Sequence, residues 1–327
     1  MKKKVLAYNR VEKPVLDQLE KEFDVRFFKN IDVDKDPEFL EWLGEAEGII
    51  GLALPVTKQL LDRAPNLKIV SNVSVGYDNL DISELTERNI IATNTPDILT
   101  DTVADTVFGL IISAARRIPE LDNKVKSGNW TEPLGPEHYG IDVHHKTLGI
   151  IGMGKIGAAI AQRARFGFDM DIIYHSRRRK PEAEERFDAV YRDFDQLLGE
   201  SDFVCLITPL TPETEGMIGK REFGLMKNTA IFINGSRGKT IIESDLIEAL
   251  KKGEIAGCGL DVFEKEPMDL DNPLLGMKNA VTTPHIGSST WETELAMSDL
   301  AAKNLRAGLA GEKPPTMINA EVWEDKG

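Results

Sequence analysis

The stretch TLGIIGMGKIG, residues Thr147–Gly157, begins as an apolar run and continues into three glycines at the spacing G-x-G-x-x-G. This order predicts a β-strand, a tight turn and a helix that begins at Lys155. Gly152 would permit the turn, Gly154 would let backbone N–H groups approach a pyrophosphate, and Gly157 would let the helix lie close to the strand. The helix N-terminus directs its partial positive charge toward the phosphates. The stretch therefore predicts a dinucleotide site, although glycines also cluster in ordinary turns.

The length and charge of the chain narrow the class of protein. Its 327 residues suffice for two domains with separate cores. A net charge of −14 disfavours nucleic acid or an anionic membrane as a partner. No apolar run approaches the roughly 18 residues of a membrane-spanning helix, and no signal-peptide core follows the N-terminus. Cys205 and Cys258 lie in apolar runs, which predicts buried reduced thiols and a cytoplasmic protein.

Strand-like and helical patterns alternate on both sides of a long helical segment. The first series, up to Asn94, predicts a parallel α/β sheet. A single linker helix is then predicted over about Thr100–Lys126, and an irregular loop over Gly128–Lys146. The second series, Thr147–Thr283, is long enough for a doubly wound dinucleotide-binding sheet. The last predicted helix, Trp291–Leu309, follows this complete sheet, so we expect it to return to the first domain before an irregular tail.

These patterns predict two doubly wound, parallel-sheet α/β domains. A Rossmann nucleotide-binding domain, residues 100–287, is expected to be inserted into a flavodoxin-like domain. The flavodoxin-like domain is then discontinuous and consists of residues 1–99 and 288–327.

Three polar residues follow predicted strands of the second sheet, at the edge where ligands bind in such folds: Arg237, Glu266 and His285. A guanidinium can grip a carboxylate, an imidazolium can protonate a carbonyl oxygen, and a carboxylate can stabilise that imidazolium. These groups suit the reduction of a keto acid. Composition alone does not exclude the alternatives without a catalytic role. Arg237 could be a surface loop residue, Glu266 a solvated acid, and His285 a hydrogen-bonded histidine at a strand end. His144 and His145 lack ligand partners at metal-binding spacing, so we predict no metal site.

The motifs G-x-G-x-x-G, N-x-x-R-G, D-V-F-E-x-E-P and P-H-I-G-S occur in that order along the chain. Together they resemble the NAD(P)-dependent D-isomer-specific 2-hydroxyacid dehydrogenase family, and the resemblance covers nearly all of the sequence. Within that family, Ser74–Asn79, Asp142–Thr147 and Glu200–Leu206 are similar to the bacterial glyoxylate/hydroxypyruvate reductases of the B type, also called 2-ketoaldonate reductases.

The resemblance implies an enzyme that reduces glyoxylate, hydroxypyruvate or 2-ketogluconate to a D-2-hydroxy acid. It implies that Arg237 binds the substrate carboxylate and carbonyl, that His285 donates the proton, and that Glu266 holds and charges His285. In the first domain, the N–H groups of Val75 and Gly76 would hold the carboxylate in a small anion nest. An ordinary strand-end turn is the alternative there. The resemblance also implies a homodimer.

One turn departs from the usual NAD pattern, which has an acid about 20 residues after the glycines. Residues 174–180 are YHSRRRK, without an acid. Ser176 is too small to exclude a 2′-phosphate, and the arginines can bind one. We therefore predict NADP(H) as the preferred cofactor and NAD(H) as the second option, with a solvated basic turn as the alternative. The glycine turn and the basic turn predict the cofactor residues Gly152, Gly154, Gly157, Ser176, Arg177 and Arg178. The family resemblance implies a further set, which is Lys155, Ile156, Thr208, Pro209, Asn234, Gly235, Ser236 and Asp261.

Two other functions fit the same resemblance. A dehydrogenase for another D-2-hydroxy acid, such as 3-phosphoglycerate, is disfavoured because the sequence shows no dedicated phosphate-binding cluster. A dinucleotide-sensing corepressor is the alternative outside enzymology, since the family includes corepressors that keep this fold. Steady turnover of keto acids distinguishes an enzyme from such a sensor.

Overall fold

The computed structural model describes residues 2–324, and the chain divides into two compact units. The first unit contains the residues up to Leu99 and those from Ser288 on, and the second is Thr100–Gly287. Each unit is built on a parallel sheet, with five strands in the first and seven in the second. The predicted architecture of two parallel-sheet α/β domains is therefore confirmed.

The first unit begins with alternating strands and helices. Its strands are β1 (Lys4–Tyr8), β2 (Asp24–Phe28), β3 (Gly48–Gly51), β4 (Ile69–Asn72) and β5 (Ile91–Thr93). The intervening helices are α1 (Lys13–Glu22), α2 (Pro37–Glu45), α3 (Lys58–Leu61) and α4 (Ile82–Glu87). The strand order is β2-β1-β3-β4-β5, which is the flavodoxin-like order. The central strands are buried along their whole length, as expected for a parallel sheet covered on both faces.

The second unit starts with helices α5 (Thr100–Ala115) and α6 (Ile118–Lys126). Its strands are β6 (Thr147–Ile151), β7 (Asp171–His175), β8 (Val190–Tyr191), β9 (Phe203–Leu206), β10 (Ile231–Asn234), β11 (Gly257–Leu260) and β12 (Ala280–Thr282). The further helices are α7 (Lys155–Phe168), α8 (Pro181–Phe187), α9 (Phe194–Glu200), α10 (Lys220–Leu225) and α11 (Glu243–Lys252). The order β12-β11-β10-β9-β6-β7-β8 is the Rossmann order, and it reverses between β6 and β9.

The prediction of a single helix over Thr100–Lys126 is wrong. Helix α5 ends at Ala115, Arg117 adopts a left-handed conformation with φ of 56°, and α6 starts at Ile118. Pro119 is the physical cause, because proline has no N–H and its ring clashes with the carbonyl four residues earlier in a continuous helix. The proline is tolerated in the first turn of α6, where its missing N–H costs nothing.

Helix α12 (Trp291–Ala310) belongs to the first unit and packs on its sheet. The Ser71 hydroxyl in β4 donates a 2.7 Å hydrogen bond to the Ala301 carbonyl oxygen. The helix comes so close that a Cβ on Gly308 would lie 2.5 Å from Ile69 Cδ1. Helix α12 therefore supplies part of the core that the first part of the chain leaves uncovered.

The tail after α12 is more ordered than the predicted irregular segment. Met317 forms an isolated antiparallel bridge with Thr93, and the Ile318 N–H donates to the Ala92 carbonyl oxygen at 2.8 Å. The buried Asn319 side chain accepts from the Ala92 N–H, also at 2.8 Å, before the short helix α13 (Glu321–Glu324). The tail thus covers the edge of β5.

Two further predictions concern the cysteine thiols and membrane-spanning helices. Cys205 and Cys258 are both buried and unpaired with each other, and burial raises the pKa of both thiols, so they stay protonated. Within residues 2–324, no helix combines the length and the apolar character needed to span a bilayer.

Candidate active site

The turn between β6 and α7 has the geometry expected of its glycines. Gly152 has φ of 105°, and a Cβ there would collide with the Ile207 carbonyl. A Cβ on Gly157 would collide with the Gly152 carbonyl oxygen, so this glycine lets α7 lie against the turn. At Gly154, in contrast, no atom lies within 4 Å of the position of a Cβ. The backbone is therefore open at the point where a pyrophosphate would approach, and the turn fits a dinucleotide.

The other predicted cofactor residues lie along the same edge of the sheet. Lys155 and Ile156 are the first two residues of α7, Thr208 and Pro209 follow β9, and Gly235 follows β10. They all lie at or just beyond the carboxyl ends of neighbouring strands, around the position where the strand order reverses. Ligands of doubly wound sheets bind in the crevice at this position.

The loop after β10 is held by buried hydrogen bonds that fix the backbone of Arg237. The Asn234 side-chain oxygen accepts from the Ser236 N–H at 3.0 Å and from the Ser236 hydroxyl at 2.7 Å. The Asn234 amide nitrogen and the Thr240 hydroxyl both donate to the Arg237 carbonyl oxygen, at 3.2 and 2.6 Å. Asn234 and Ser236, predicted as cofactor residues, thus also shape the loop that presents Arg237.

The loop after β12, which carries His285, wraps around the carboxylate of Asp261. Asp261 is only 3% exposed, and its Oδ1 accepts from the Thr283 hydroxyl at 2.7 Å and from the Ile286 N–H at 2.8 Å. Its Oδ2 accepts from the Gly287 N–H at 2.8 Å. His285 itself has φ of 52°, a conformation that costs free energy for a residue with a side chain. The three hydrogen bonds hold the loop in that conformation.

His285 and Glu266 form a direct pair. His285 Nδ1 lies 2.7 Å from Glu266 Oε2, and Glu266 Oε1 accepts from the Phe263 N–H at 2.9 Å. Burial acts to raise the pKa of Glu266, but the hydrogen bonds from His285 and Phe263 outweigh it, and the charge of Arg237 adds to them. The pKa of this carboxyl is therefore held below its usual value. A carboxylate on Nδ1 leaves Nε2 as the ring nitrogen that can exchange a proton with a ligand.

The loop after β4 in the first unit presents two backbone donors. The Asn72 amide nitrogen donates to the Ser74 hydroxyl at 2.8 Å and to the Gly76 carbonyl at 3.0 Å, and Asn94 donates to the Val75 carbonyl at 2.8 Å. The N–H groups of Val75 and Gly76 donate to no atom of the chain between residues 2 and 324. The side chains therefore fix the loop through its carbonyl groups, and the two N–H groups are available to an anion.

The basic turn after β7 contains arginines in two different situations. The Ser176 hydroxyl donates to the Arg178 carbonyl at 2.6 Å, which closes the turn. Arg179 donates to both oxygens of Glu184, at 3.0 and 2.7 Å. Arg177 and Arg178 are exposed and form no ion pair with any residue that the structure describes. Of the three arginines in this turn, Arg177 and Arg178 are thus the two whose charges are available to a phosphate.

The sequence did not point to Thr240 and Thr283, the hydroxyl groups that brace the loops of Arg237 and His285. Their only signal is their position within a few residues of the predicted site residues, and buried threonines are common at strand ends. Among residues 2–324, no three His, Cys, Asp or Glu side chains are grouped so that they could hold a metal ion.

Comparison with known proteins identifies the family. Residues 108–287 match the NAD binding domain of the D-isomer specific 2-hydroxyacid dehydrogenases. Over 322 residues the chain is 49% identical to glyoxylate/hydroxypyruvate reductase B of Escherichia coli, covering 98% of this chain and 99% of the relative.

Solved structures agree with the sequence comparison. The TT0316 protein of Thermus thermophilus matches with a TM-score of 0.90 and 36% identity, over 96% of this chain and 99% of its own. An NADPH-dependent glyoxylate/hydroxypyruvate reductase of Sinorhizobium meliloti, solved with NADP and malonate, matches with a TM-score of 0.86 and 31% identity over 97% of each chain. The chain therefore belongs to the D-isomer specific 2-hydroxyacid dehydrogenase family and is an oxidoreductase with an NAD(P)-binding domain.

Proposed function

We propose that the protein is an NADPH-dependent reductase that converts glyoxylate, hydroxypyruvate and 2-ketogluconate into D-2-hydroxy acids. The pairing of His285 with Glu266 beside the loop of Arg237 carries this proposal, in a chain that is 49% identical to a glyoxylate/hydroxypyruvate reductase B. The unit of residues 100–287 would bind the cofactor, and the unit of residues 1–99 and 288–327 would bind the substrate. The family resemblance supports a cytoplasmic homodimer.

In the proposed reaction, the bound nicotinamide cofactor would supply the hydride that reduces the keto carbon. The guanidinium of Arg237 would bind the substrate carboxylate and carbonyl oxygen. In the first unit, the N–H groups of Val75 and Gly76 are proposed as donors to a carboxylate. His285 Nε2 donates a proton to the carbonyl oxygen as its C=O double bond becomes a single bond. Glu266 stabilises the imidazolium before the transfer and keeps its tautomer fixed.

The cofactor site in this proposal uses mainly backbone groups. The first turn of α7 and the open turn at Gly154 would hold the pyrophosphate, because the first amides of a helix have no carbonyl partner within the helix. Arg177 and Arg178 would hold the 2′-phosphate, and Ser176 would leave room for it. Asp261 acts mainly through the loop of His285, since both of its oxygens accept hydrogen bonds from that loop.

Oxidation of NADPH with a panel of acids tests the proposal. The panel comprises glyoxylate, hydroxypyruvate, 2-ketogluconate, pyruvate and 3-phosphohydroxypyruvate. We expect steady turnover with the first three. Cofactor binding without steady turnover of any acid would instead identify a dinucleotide sensor. A preference for 3-phosphohydroxypyruvate would identify the alternative dehydrogenase.

Arg237→Lys should raise KM for the keto acids and lower kcat. Lysine keeps the charge but loses the planar pair of donors, so one charge-assisted hydrogen bond of about 1.5–3 kcal/mol is lost. This corresponds to a fall of roughly tenfold or more in kcat/KM, distributed over both parameters. Steady-state kinetics with glyoxylate checks it, and unchanged values of both parameters would place Arg237 away from the substrate.

Glu266→Gln should move the alkaline fall of reductase activity to lower pH. Glu266 Oε2 lies 2.7 Å from His285 Nδ1, so the carboxylate would stabilise an imidazolium there, and a neutral amide would remove that attraction. The imidazolium then loses its proton at a lower pH. The measurement is kcat/KM as a function of pH, with Glu264→Gln as the control because this exposed neighbour has the same charge. An unchanged profile would contradict the role of the pair.

A further inference from the structure

The basic turn after β7 is anchored to the interior by a tyrosine. Tyr174 is completely buried near the end of β7, and its hydroxyl donates to Glu184 Oε1 at 2.6 Å. The same hydroxyl accepts a 2.7 Å hydrogen bond from the backbone N–H of Lys180, the last residue of the turn. Burial, and then the neighbouring Glu184 carboxylate, raise the pKa of Tyr174, so the hydroxyl stays protonated. One hydroxyl group thus ties the end of the turn to α8 and to the sheet.

Glu184 pairs with one of the three arginines of the turn, Arg179. Its two oxygens accept from Arg179 at 3.0 and 2.7 Å, while Oε1 also accepts from Tyr174. The guanidinium of Arg179 is therefore directed toward α8 and its charge is balanced. At the start of the turn, the Ser176 hydroxyl holds the Arg178 carbonyl. Both ends of the turn are fixed, and of its three arginines Arg177 and Arg178 are the two that form no ion pair within the described chain.

We infer that Tyr174 is a positioning residue that sets the affinity of this turn for a 2′-phosphate, by fixing the backbone from which Arg177 and Arg178 extend. The inference rests on the proposed use of NADPH. It follows from preorganisation: a turn already held in one conformation loses less conformational freedom when it binds its ligand. The 5′ part of the nucleotide, bound near the glycine turn, gains nothing from Tyr174.

The experiment uses two fragments of the cofactor, 2′,5′-ADP and 5′-AMP, and the full-length protein. Tyr174→Phe removes only the hydroxyl and keeps the edge-to-face ring contact with Tyr191, whose centroid lies 5.5 Å away. Tyr191→Phe is the matched control, because the Tyr191 hydroxyl makes no hydrogen bond within residues 2–324. Dissociation constants are measured by calorimetry, and KM and kcat are measured with NADPH and NADH.

Tyr174→Phe removes both hydrogen bonds of this hydroxyl. It should weaken 2′,5′-ADP roughly three- to tenfold, a free energy about the size of one net hydrogen bond, and leave 5′-AMP unchanged. KM for NADPH should rise by a similar factor at constant kcat, while KM for NADH and the control variant should not change. A change in KM for NADPH without a change in KM for NADH distinguishes a positioning role of Tyr174 from a general loss of structure. Equal weakening of both fragments would overturn the inference.

Failure of the inference is distinguishable from failure of the proposed cofactor preference. If the wild-type protein binds 2′,5′-ADP more tightly than 5′-AMP and Tyr174→Phe keeps that difference, the inference is overturned and the preference for NADPH stands. If the wild-type protein binds both fragments equally, the inference and the preference are both overturned, whatever the keto-acid panel shows.

Discussion

Replacement of His285 by glutamine should lower kcat for keto-acid reduction by about 10²–10⁴-fold, which is the usual effect of losing a positioned general acid. Glutamine approximates the size of the imidazole and can still hydrogen-bond to Glu266, but it cannot release a proton. The loop should remain in place, because Asp261 holds it through the neighbouring residues. Cofactor affinity should therefore change little.

Steady-state measurement of kcat checks the first expectation, and fluorescence titration, which gives the dissociation constant of the cofactor, checks the second. His144→Gln is a suitable control, because His144 is an exposed histidine of the same unit and is not at a strand end. A His285→Gln variant that keeps more than about half of the wild-type kcat would assign the proton to another group, since the effect of a general acid is far larger.

The double variant Ser176→Asp with Arg177→Ala should reverse the cofactor preference. The aspartate supplies an acceptor for a ribose 2′-hydroxyl and repels a 2′-phosphate, while the alanine removes one charged contact. One charge-assisted contact is worth about 1.5–3 kcal/mol, so with the repulsion the ratio of kcat/KM for NADPH over NADH should fall by roughly a hundredfold or more.

The controls for the cofactor preference separate a specific contact from a general effect of charge. Arg186→Ala removes a positive charge from α8, where Arg186 pairs with Glu182, and should leave the ratio nearly unchanged. Higher salt should weaken NADPH binding more than NADH binding, because exposed arginines are screened. A wild-type kcat/KM for NADH that equals or exceeds that for NADPH at moderate salt would contradict the preference.

Local patterns predicted the parts of this fold that local chemistry determines. A Cβ at Gly152 or Gly157 would collide with a backbone carbonyl, so the glycine spacing specifies the turn, and the strand, turn and helix follow from the sequence alone. Buried apolar runs predicted the parallel strands. The break before Ile118 also has a local signal, because Pro119 is incompatible with the interior of a continuous helix and therefore favours two helices over one.

Non-local contacts account for what the sequence could not show. The bridge between Thr93 and Met317 joins residues far apart in the chain, and neither segment has a pattern that specifies the other. The same holds for Asp261, which the family resemblance implies only as a cofactor residue. The wrapping of the 283–287 loop around its carboxylate depends on the neighbouring strands being side by side.

The insertion of one unit into the other has a consequence for synthesis on the ribosome. The second unit has all of its strands and helices once Gly287 has been made, although it lies later in the chain than most of the first unit. The first unit must wait for α12, because Ile69 and the neighbouring face of its sheet are covered by that helix. The order of folding during translation is then the reverse of the usual order from the N-terminus. Until α12 emerges, the apolar face of β3 and β4 lacks the helix that covers it in the folded unit.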